Sequence, residues 1–99
     1  MWVLRALDAD PDHPLSFRLA PGAVKTIGRA GAADFCLDLP LVSRLHCRLE
    51  VGPDGAVEVV DLGSTNGTWV DGEKVLRAAI RPGSTLRVGR VAFALEPSV

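Results

Sequence analysis

Turn signals punctuate this chain so densely that no stretch of it has room for a regular helix. Ten glycines and seven prolines are spread over 99 residues. No window of helical length keeps a 3.6-residue apolar period without a Gly or Pro interruption. Between the turns lie short runs in which apolar and polar side chains alternate, the period of a strand with one face buried. Residues 2–7 form the first run, and Leu15, Phe17 and Leu19 alternate with Ser16 and Arg18 in the second. Further strands are expected at 24–27 and 34–37, at 46–51 with Cys47, Leu49 and Val51 inward, and at 56–62 with Val57 and Val59 on one face. Gly52-Pro53-Asp54-Gly55 turns the chain between the last two. Segments 68–70 and 74–76 flank Asp71-Gly72, a strong two-residue hairpin signal. Residues 84–88 and 91–95 form a final hairpin around Gly89-Arg90, and 76–80 have room for one helical turn at most. About ten or eleven strands in so short a chain imply an all-β fold: two antiparallel sheets packed face to face, with loops gathered at both ends.

Size and charge narrow the function classes. A chain of 99 residues is one domain, expected to bury roughly 60–70% of its unfolded surface. Its net charge of −1 argues against nonspecific nucleic-acid binding, which needs a basic face to neutralise many phosphates. A single bound phosphate needs only two or three local cations. Cys36, Cys47, His13 and His46 lack the paired spacing of a metal site, so neither metal nor other cofactor is expected. Met1-Trp2-Val3-Leu4-Arg5 runs into Asp8, Asp10 and Asp12 rather than into a long apolar region, so no signal peptide is expected. No apolar run approaches the roughly 20 residues of a membrane span. A soluble, intracellular domain is the expectation. No feature demands an oligomer, so a monomer is the default.

Three polar turns carry the chemistry. In Thr26-Ile27-Gly28-Arg29, the guanidinium is a fork suited to phosphate oxygens, but the same Gly-Arg pair recurs at Gly89-Arg90, where it only closes a hairpin. In Val42-Ser43-Arg44-Leu45-His46-Cys47, the Ser43 hydroxyl is a donor for a phosphate oxygen and Arg44 adds charge, whereas a serine in a turn also commonly bonds its own backbone. In Gly63-Ser64-Thr65-Asn66-Gly67-Thr68, the Asn66-Gly67 pair is a type I′ hairpin signal. Asn66 also carries a donor and an acceptor suited to the main chain of an extended peptide, with Thr65 beside it. Ser43 and His46 on one turn do not make a catalytic triad, and no G-x-S-x-G elbow is present. His46 is instead expected to be a buried post, its ring nitrogens bonding backbone groups of adjacent loops.

Thr26-Ile27-Gly28-Arg29, then Ser43-Arg44-Leu45-His46-Cys47, then Asp61-Leu62-Gly63-Ser64-Thr65-Asn66-Gly67-Thr68-Trp69-Val70-Asp71-Gly72 resemble, in order and spacing, the signature of forkhead-associated (FHA) domains. Pro82-Gly83-Ser84-Thr85-Leu86-Arg87-Val88-Gly89, followed by Phe93, resembles the family's closing hairpin. The resemblance runs from about Trp2 to Leu95, so residues 1–99 are expected to be a single such domain. It implies an eleven-stranded antiparallel β-sandwich that binds phosphothreonine peptides through loops at one end, without catalysis, as an adaptor in phosphorylation-dependent signalling or assembly. By the same resemblance Arg29 and Ser43 hold the phosphate, and Arg44 touches the phosphate or the peptide backbone. Thr65 lines the phosphothreonine site and Asn66 bonds the peptide main chain just after the phosphoresidue. Gly28, His46 and Gly67 shape the loops. Leu41 is the candidate contact for the residue three positions after the phosphate. Asp71 and Ser84 depart from the family's usual Asn and Asp, both in turns away from the phosphate loops. Two alternatives stand beside this one: a docking module of the same fold that needs no phosphate, and a small hydrolase built on Ser43, His46 and an Asp.

Overall fold

A computed structural model describes residues 1–8, 12 and 14–98; Asp10 and His13, invoked above, lie outside the described residues. The chain folds into eleven strands: β1 (Trp2–Ala6), β2 (Ser16–Leu19), β3 (Val24–Gly28), β4 (Phe35–Cys36), β5 (Cys47–Val51), β6 (Val57–Asp61), β7 (Thr68–Val70), β8 (Glu73–Val75), β9 (Arg77–Ile80), β10 (Thr85–Val88) and β11 (Val91–Pro97). They form a six-stranded sheet in the order β2-β1-β11-β10-β7-β8 and a five-stranded sheet in the order β4-β3-β5-β6-β9. Alternation puts Leu4, Leu19, Leu86, Val88 and Phe93 of the first sheet against Ile27, Cys47, Leu49 and Val59 of the second, all fully buried. Phe17 stacks on Phe35 with ring centres 4.3 Å apart and meets Phe93 at 5.8 Å, closing one flank of the core.

Three expectations need correction. Residues 77–80 are a strand, not a helical turn: Ile80 is buried, and the segment pairs with β6 from Val57↔Ile80 to Val60↔Arg77. The sheets are not wholly antiparallel, because β3 pairs with β4 in parallel, Ile27↔Phe35 and Gly28↔Cys36. The irregular connection after Gly28 carries the chain back to permit this. Asn66-Gly67 does not turn a hairpin, since β6 and β7 lie in different sheets and the loop between them crosses over. The Asp71-Gly72 hairpin does form: both residues have positive φ, 52° and 82°, the requirement of a type I′ turn, and Val70 pairs with Glu73 across it. Both cysteines are free thiols, Cys36 exposed and Cys47 buried. Among the described residues, no helix is long and apolar enough to cross a membrane, and no three His, Cys, Asp or Glu side chains are grouped to hold a metal.

Candidate functional site

Strand ends decide which loops meet. β3 ends at Gly28, β5 begins at Cys47, β6 ends at Asp61 and β7 begins at Thr68, all at one end of the sandwich. The segment before β5 is laced to the end of β3 by backbone bonds: Arg29 N–H to Ser43 C=O at 2.9 Å, Ala30 N–H to Arg44 C=O at 3.1 Å, and His46 N–H to Ile27 C=O at 2.9 Å. That approach is why residue 28 is a glycine. A Cβ there would overlap the Arg44 carbonyl group, and no side chain motion relieves a clash with backbone. On the other side of Arg29, Asp34 accepts from Thr26 N–H at 2.9 Å and Thr26 Oγ1 at 3.2 Å, and returns its own N–H to Thr26 Oγ1 at 3.0 Å. The loop that follows Arg29 is thereby pinned to the strand that precedes it.

His46 ties the third loop to the second. Its ring is wholly buried. Nδ1 accepts from Ser43 N–H at 3.0 Å, and Nε2 bonds the Gly67 carbonyl at 2.8 Å. A backbone N–H only donates and a carbonyl only accepts, so the bonds define a neutral ring with its proton on Nε2. With both nitrogens engaged by main chain, His46 has none left for the Ser43 hydroxyl, and the hydrolase arrangement does not exist.

Asp61 organises the same loop from the strand side and was assigned no role on sequence grounds. Its carboxylate accepts from Gly63 N–H at 3.0 Å, Ser64 N–H at 3.1 Å, the Ser64 hydroxyl, and Thr68 Oγ1 at 2.8 Å. Burial pushes the carboxyl up, but these bonds outweigh it and hold the group below its ordinary range. The available signal was an aspartate two residues before Gly63-Ser64, the spacing of an Asx turn.

These loops frame an open cleft of about 530 Å³ lined by Arg29, Asp38, Leu39, Pro40, Leu41, Val42, Ser43, Thr65 and Asn66. Three of its side chains share a pattern. Arg29 Nε donates to the Val42 carbonyl at 3.1 Å, which orients the guanidinium and leaves its terminal nitrogens free. Ser43 Oγ accepts from Thr65 N–H at 3.0 Å, which leaves its own proton to donate. Asn66 Nδ2 donates to the Leu41 carbonyl at 3.2 Å, with Oδ1 and a second N–H still available. Thr65 stands exposed between them. Arg44 differs: its side chain is exposed and does not line the cleft, while its carbonyl is turned inward to Ala30. Leu41 is 44% exposed and sits at φ 70°, a left-handed conformation uncommon for leucine. The β10–β11 turn reaches the same corner. A Cβ on Gly89 would lie 2.9 Å from Val42 Cγ2 and 3.2 Å from the Pro40 carbonyl oxygen, so this Gly-Arg pair backs the cleft wall as well as closing its hairpin.

An open cleft with one oriented guanidinium, one free hydroxyl proton and an amide beside an apolar wall suits an anion carried on an extended chain. Comparison with known proteins agrees with the architecture. The FHA domain family matches over residues 25–89. FhaB of Mycobacterium tuberculosis, an FHA domain-containing protein, is 42% identical over 73 residues, which are 72% of this chain and 46% of that protein. Other curated relatives are covered over 9% to 52% of their length, so the chain corresponds to a part of each. The crystal structure of the FHA domain of CT664 from Chlamydia trachomatis superposes with a TM-score of 0.90 at 28% identity, covering 99% of this chain and 98% of that one. An FHA structure determined in a study of phosphothreonine-dependent interactions superposes at 0.86 with 26% identity, covering 99% and 97%. This chain belongs to the FHA domain family.

Proposed function

We propose that this chain is a phosphothreonine-binding adaptor module, one domain with its core between about Trp2 and Leu95, acting without catalysis in intracellular, phosphorylation-dependent signalling or assembly. The observation that carries the proposal is the convergence of Arg29, Ser43, Thr65 and Asn66 on one cleft, with the Arg29, Ser43 and Asn66 side chains each committing one bond to a neighbouring loop and keeping further hydrogen-bonding capacity for a ligand. A phosphate brings a charge of about −1.5 to −2 and three strong acceptor oxygens. Arg29 grips it by charge-assisted bonds and Ser43 adds a hydroxyl donor. Arg44, outside the cleft, contributes its positive charge at short range. Asn66 has the donor and acceptor to hold the main chain just after the phosphoresidue. Leu41 meets the residue three positions on and favours an apolar one. The phosphothreonine-dependent interactions of the similar FHA structure lend support.

Preference for phosphothreonine over phosphoserine rests on one methyl against the apolar wall of Leu39, Pro40 and Val42, worth roughly 1–3 kcal/mol. The test is a titration of labelled phosphothreonine, phosphoserine and unmodified library peptides, followed by fluorescence anisotropy. Affinity should fall in that order, and should weaken as pH drops through about 6, where the phosphate loses its second charge. The proposal fails when no phosphopeptide outbinds its unmodified twin.

A further inference from the structure

Beyond the cleft, three side chains stand in register across adjacent strands of the six-stranded sheet: Lys74 of β8, Trp69 of β7 and Arg87 of β10. The Arg87 guanidinium carbon lies 5.2 Å from the centre of the Trp69 ring, a cation–π contact that holds the charge on the sheet face. The row begins where the cleft ends. The Trp69 indole N–H donates to the Asn66 carbonyl at 3.2 Å. The Lys74 stem lies over Gly67, its Cε 2.7 Å from where a Cβ of residue 67 would stand.

The charge of this row is uncompensated among the described residues, since neither Lys74 nor Arg87 takes part in a salt bridge. The five-stranded sheet is different. There Arg48 and Arg77 are matched by Glu50 and Glu58, with Arg48–Glu50 at 2.7 Å, Arg77–Glu50 at 3.6 Å and Arg77–Glu58 at 3.4 Å. The cleft lining itself carries one acid, Asp38. A ligand passing from the cleft onto this row therefore meets two cations flanking an indole.

We propose that the Lys74–Trp69–Arg87 row extends the peptide site and takes acidic residues of the ligand C-terminal to the phosphothreonine. This rests on the phosphothreonine reading, which sets the ligand's direction: with Asn66 holding the main chain after the phosphoresidue, the chain leaves the cleft over Trp69. Neighbouring strands are about 4.8 Å apart, so the row spans roughly 10 Å. Three extended residues at about 3.3 Å each cover it, which places the contacts at about the fourth to sixth residue after the phosphothreonine.

The experiment uses three labelled peptides identical through the third residue after the phosphothreonine and ending in a run of Glu, Gln or Lys, together with their unphosphorylated twins. Exposed ion pairs are individually weak, so the Glu-tailed peptide should bind about fivefold more tightly than the Gln-tailed one, and the Lys-tailed peptide less tightly than either. The advantage should vanish at about 1 M salt, where the Debye length is about 3 Å. It should also vanish in the Lys74→Gln/Arg87→Gln double variant, which keeps the same ratio of phosphorylated to unphosphorylated affinity for the Gln-tailed peptide. The charge-reversed Lys74→Glu/Arg87→Glu variant should invert the order of the three tails. Equal affinity of the wild-type domain for Glu and Gln tails overturns the proposal while leaving the phosphothreonine reading intact. So does a Glu preference that survives the double variant. Equal affinity for phosphorylated and unphosphorylated twins overturns the phosphothreonine reading instead, and removes the ligand direction on which the row's role depends.

Discussion

Replacing His46 by alanine should unfold the binding end of the domain before it touches any ligand. The ring is 0% exposed and makes two hydrogen bonds, from Ser43 N–H at 3.0 Å and to the Gly67 carbonyl at 2.8 Å. Each bond is worth about 1 kcal/mol net, and an orphaned buried partner costs about 1–3 kcal/mol. Adding the lost packing of the ring, the substitution should cost about 3–4 kcal/mol. The whole stability of a domain is typically about 5–15 kcal/mol. At about 4–8 °C per kcal/mol for a domain this small, melting should fall by at least about 12 °C, read by circular dichroism or calorimetry. Phosphopeptide affinity should fall as well, since Ser43 and Gly67 lose their common anchor.

His46→Asn separates the two bonds. The asparagine Oδ1 stands near the position of Nδ1 and accepts from Ser43 N–H, while nothing reaches Gly67. About half the loss should return, with affinity recovering more fully than stability because Ser43 lies in the cleft and Gly67 does not. A His46→Ala domain that melts within about 2 °C of wild type, less than half a kcal/mol, would refute the reasoning. So would an Asn variant no better than Ala.

Arg29→Lys keeps the charge but loses the fork that serves Val42 and a phosphate together; affinity should fall about tenfold or more with melting unchanged, and unchanged affinity would place the phosphate elsewhere. Ser43→Ala should cost a similar factor, measured by the same titration, because the hydroxyl proton and the acceptor for Thr65 N–H go together. Asp61 ionises below its ordinary range in the fold, so its stabilisation is complete above about pH 4, the unfolded value, and is lost as pH falls through the folded one. Asp61→Asn should therefore melt lower at neutral pH, with the gap narrowing below about pH 4; a gap constant across pH would contradict this. Burial, with the Asp61 charge adding to it, pushes the Cys47 thiol up to about 12, so in the folded domain a thiol reagent should modify exposed Cys36 alone, and both cysteines only after denaturation.

Sequence order carried the architecture further than local composition did. Asp71-Gly72 and Asn66-Gly67 present nearly the same hairpin signal, yet only the first turns a hairpin. What separates them is the apolar pattern beyond: Val70 and Val75 face the core from paired strands, whereas Asp61 and Thr68 end strands of opposite sheets. β9 was illegible because Arg77, Ala78 and Ala79 have weak strand propensity; its pairing with β6 overrides them. The parallel β3–β4 pair has no local signature, and the backing of Val42 by Gly89 is a contact between residues 47 positions apart. The basic row was hidden for the same reason. Lys74, Trp69 and Arg87 lie in separate segments, and only register makes them neighbours. Side-chain type is local information, yet Arg29, Ser43 and Asn66 each suit an ordinary turn taken singly, and only their order and spacing along the chain set them apart.

The cleft's rigidity follows from how its residues divide their hydrogen-bonding capacity. Arg29 Nε, the Ser43 acceptor site and one Asn66 N–H are all committed across loops, and none of these bonds has to break for the remaining valences to meet a phosphate or a peptide backbone. Ordering side chains at an interface costs about 0.5–1.5 kcal/mol for each one immobilised, and here three are oriented in advance. Leu41 shows the other half of the arrangement. A leucine at φ 70° is held against a strain of roughly 1–2 kcal/mol by Asn66 bonding its carbonyl and by Val42, buried next to it against Gly89. Asn66 clamps Leu41 through that bond, and under the proposed function it would also hold the peptide main chain while Leu41 met the residue three positions further along. An Asn66 substitution would loosen the peptide main chain and blur side-chain selectivity together, so the two functions cannot be separated by changing that residue alone.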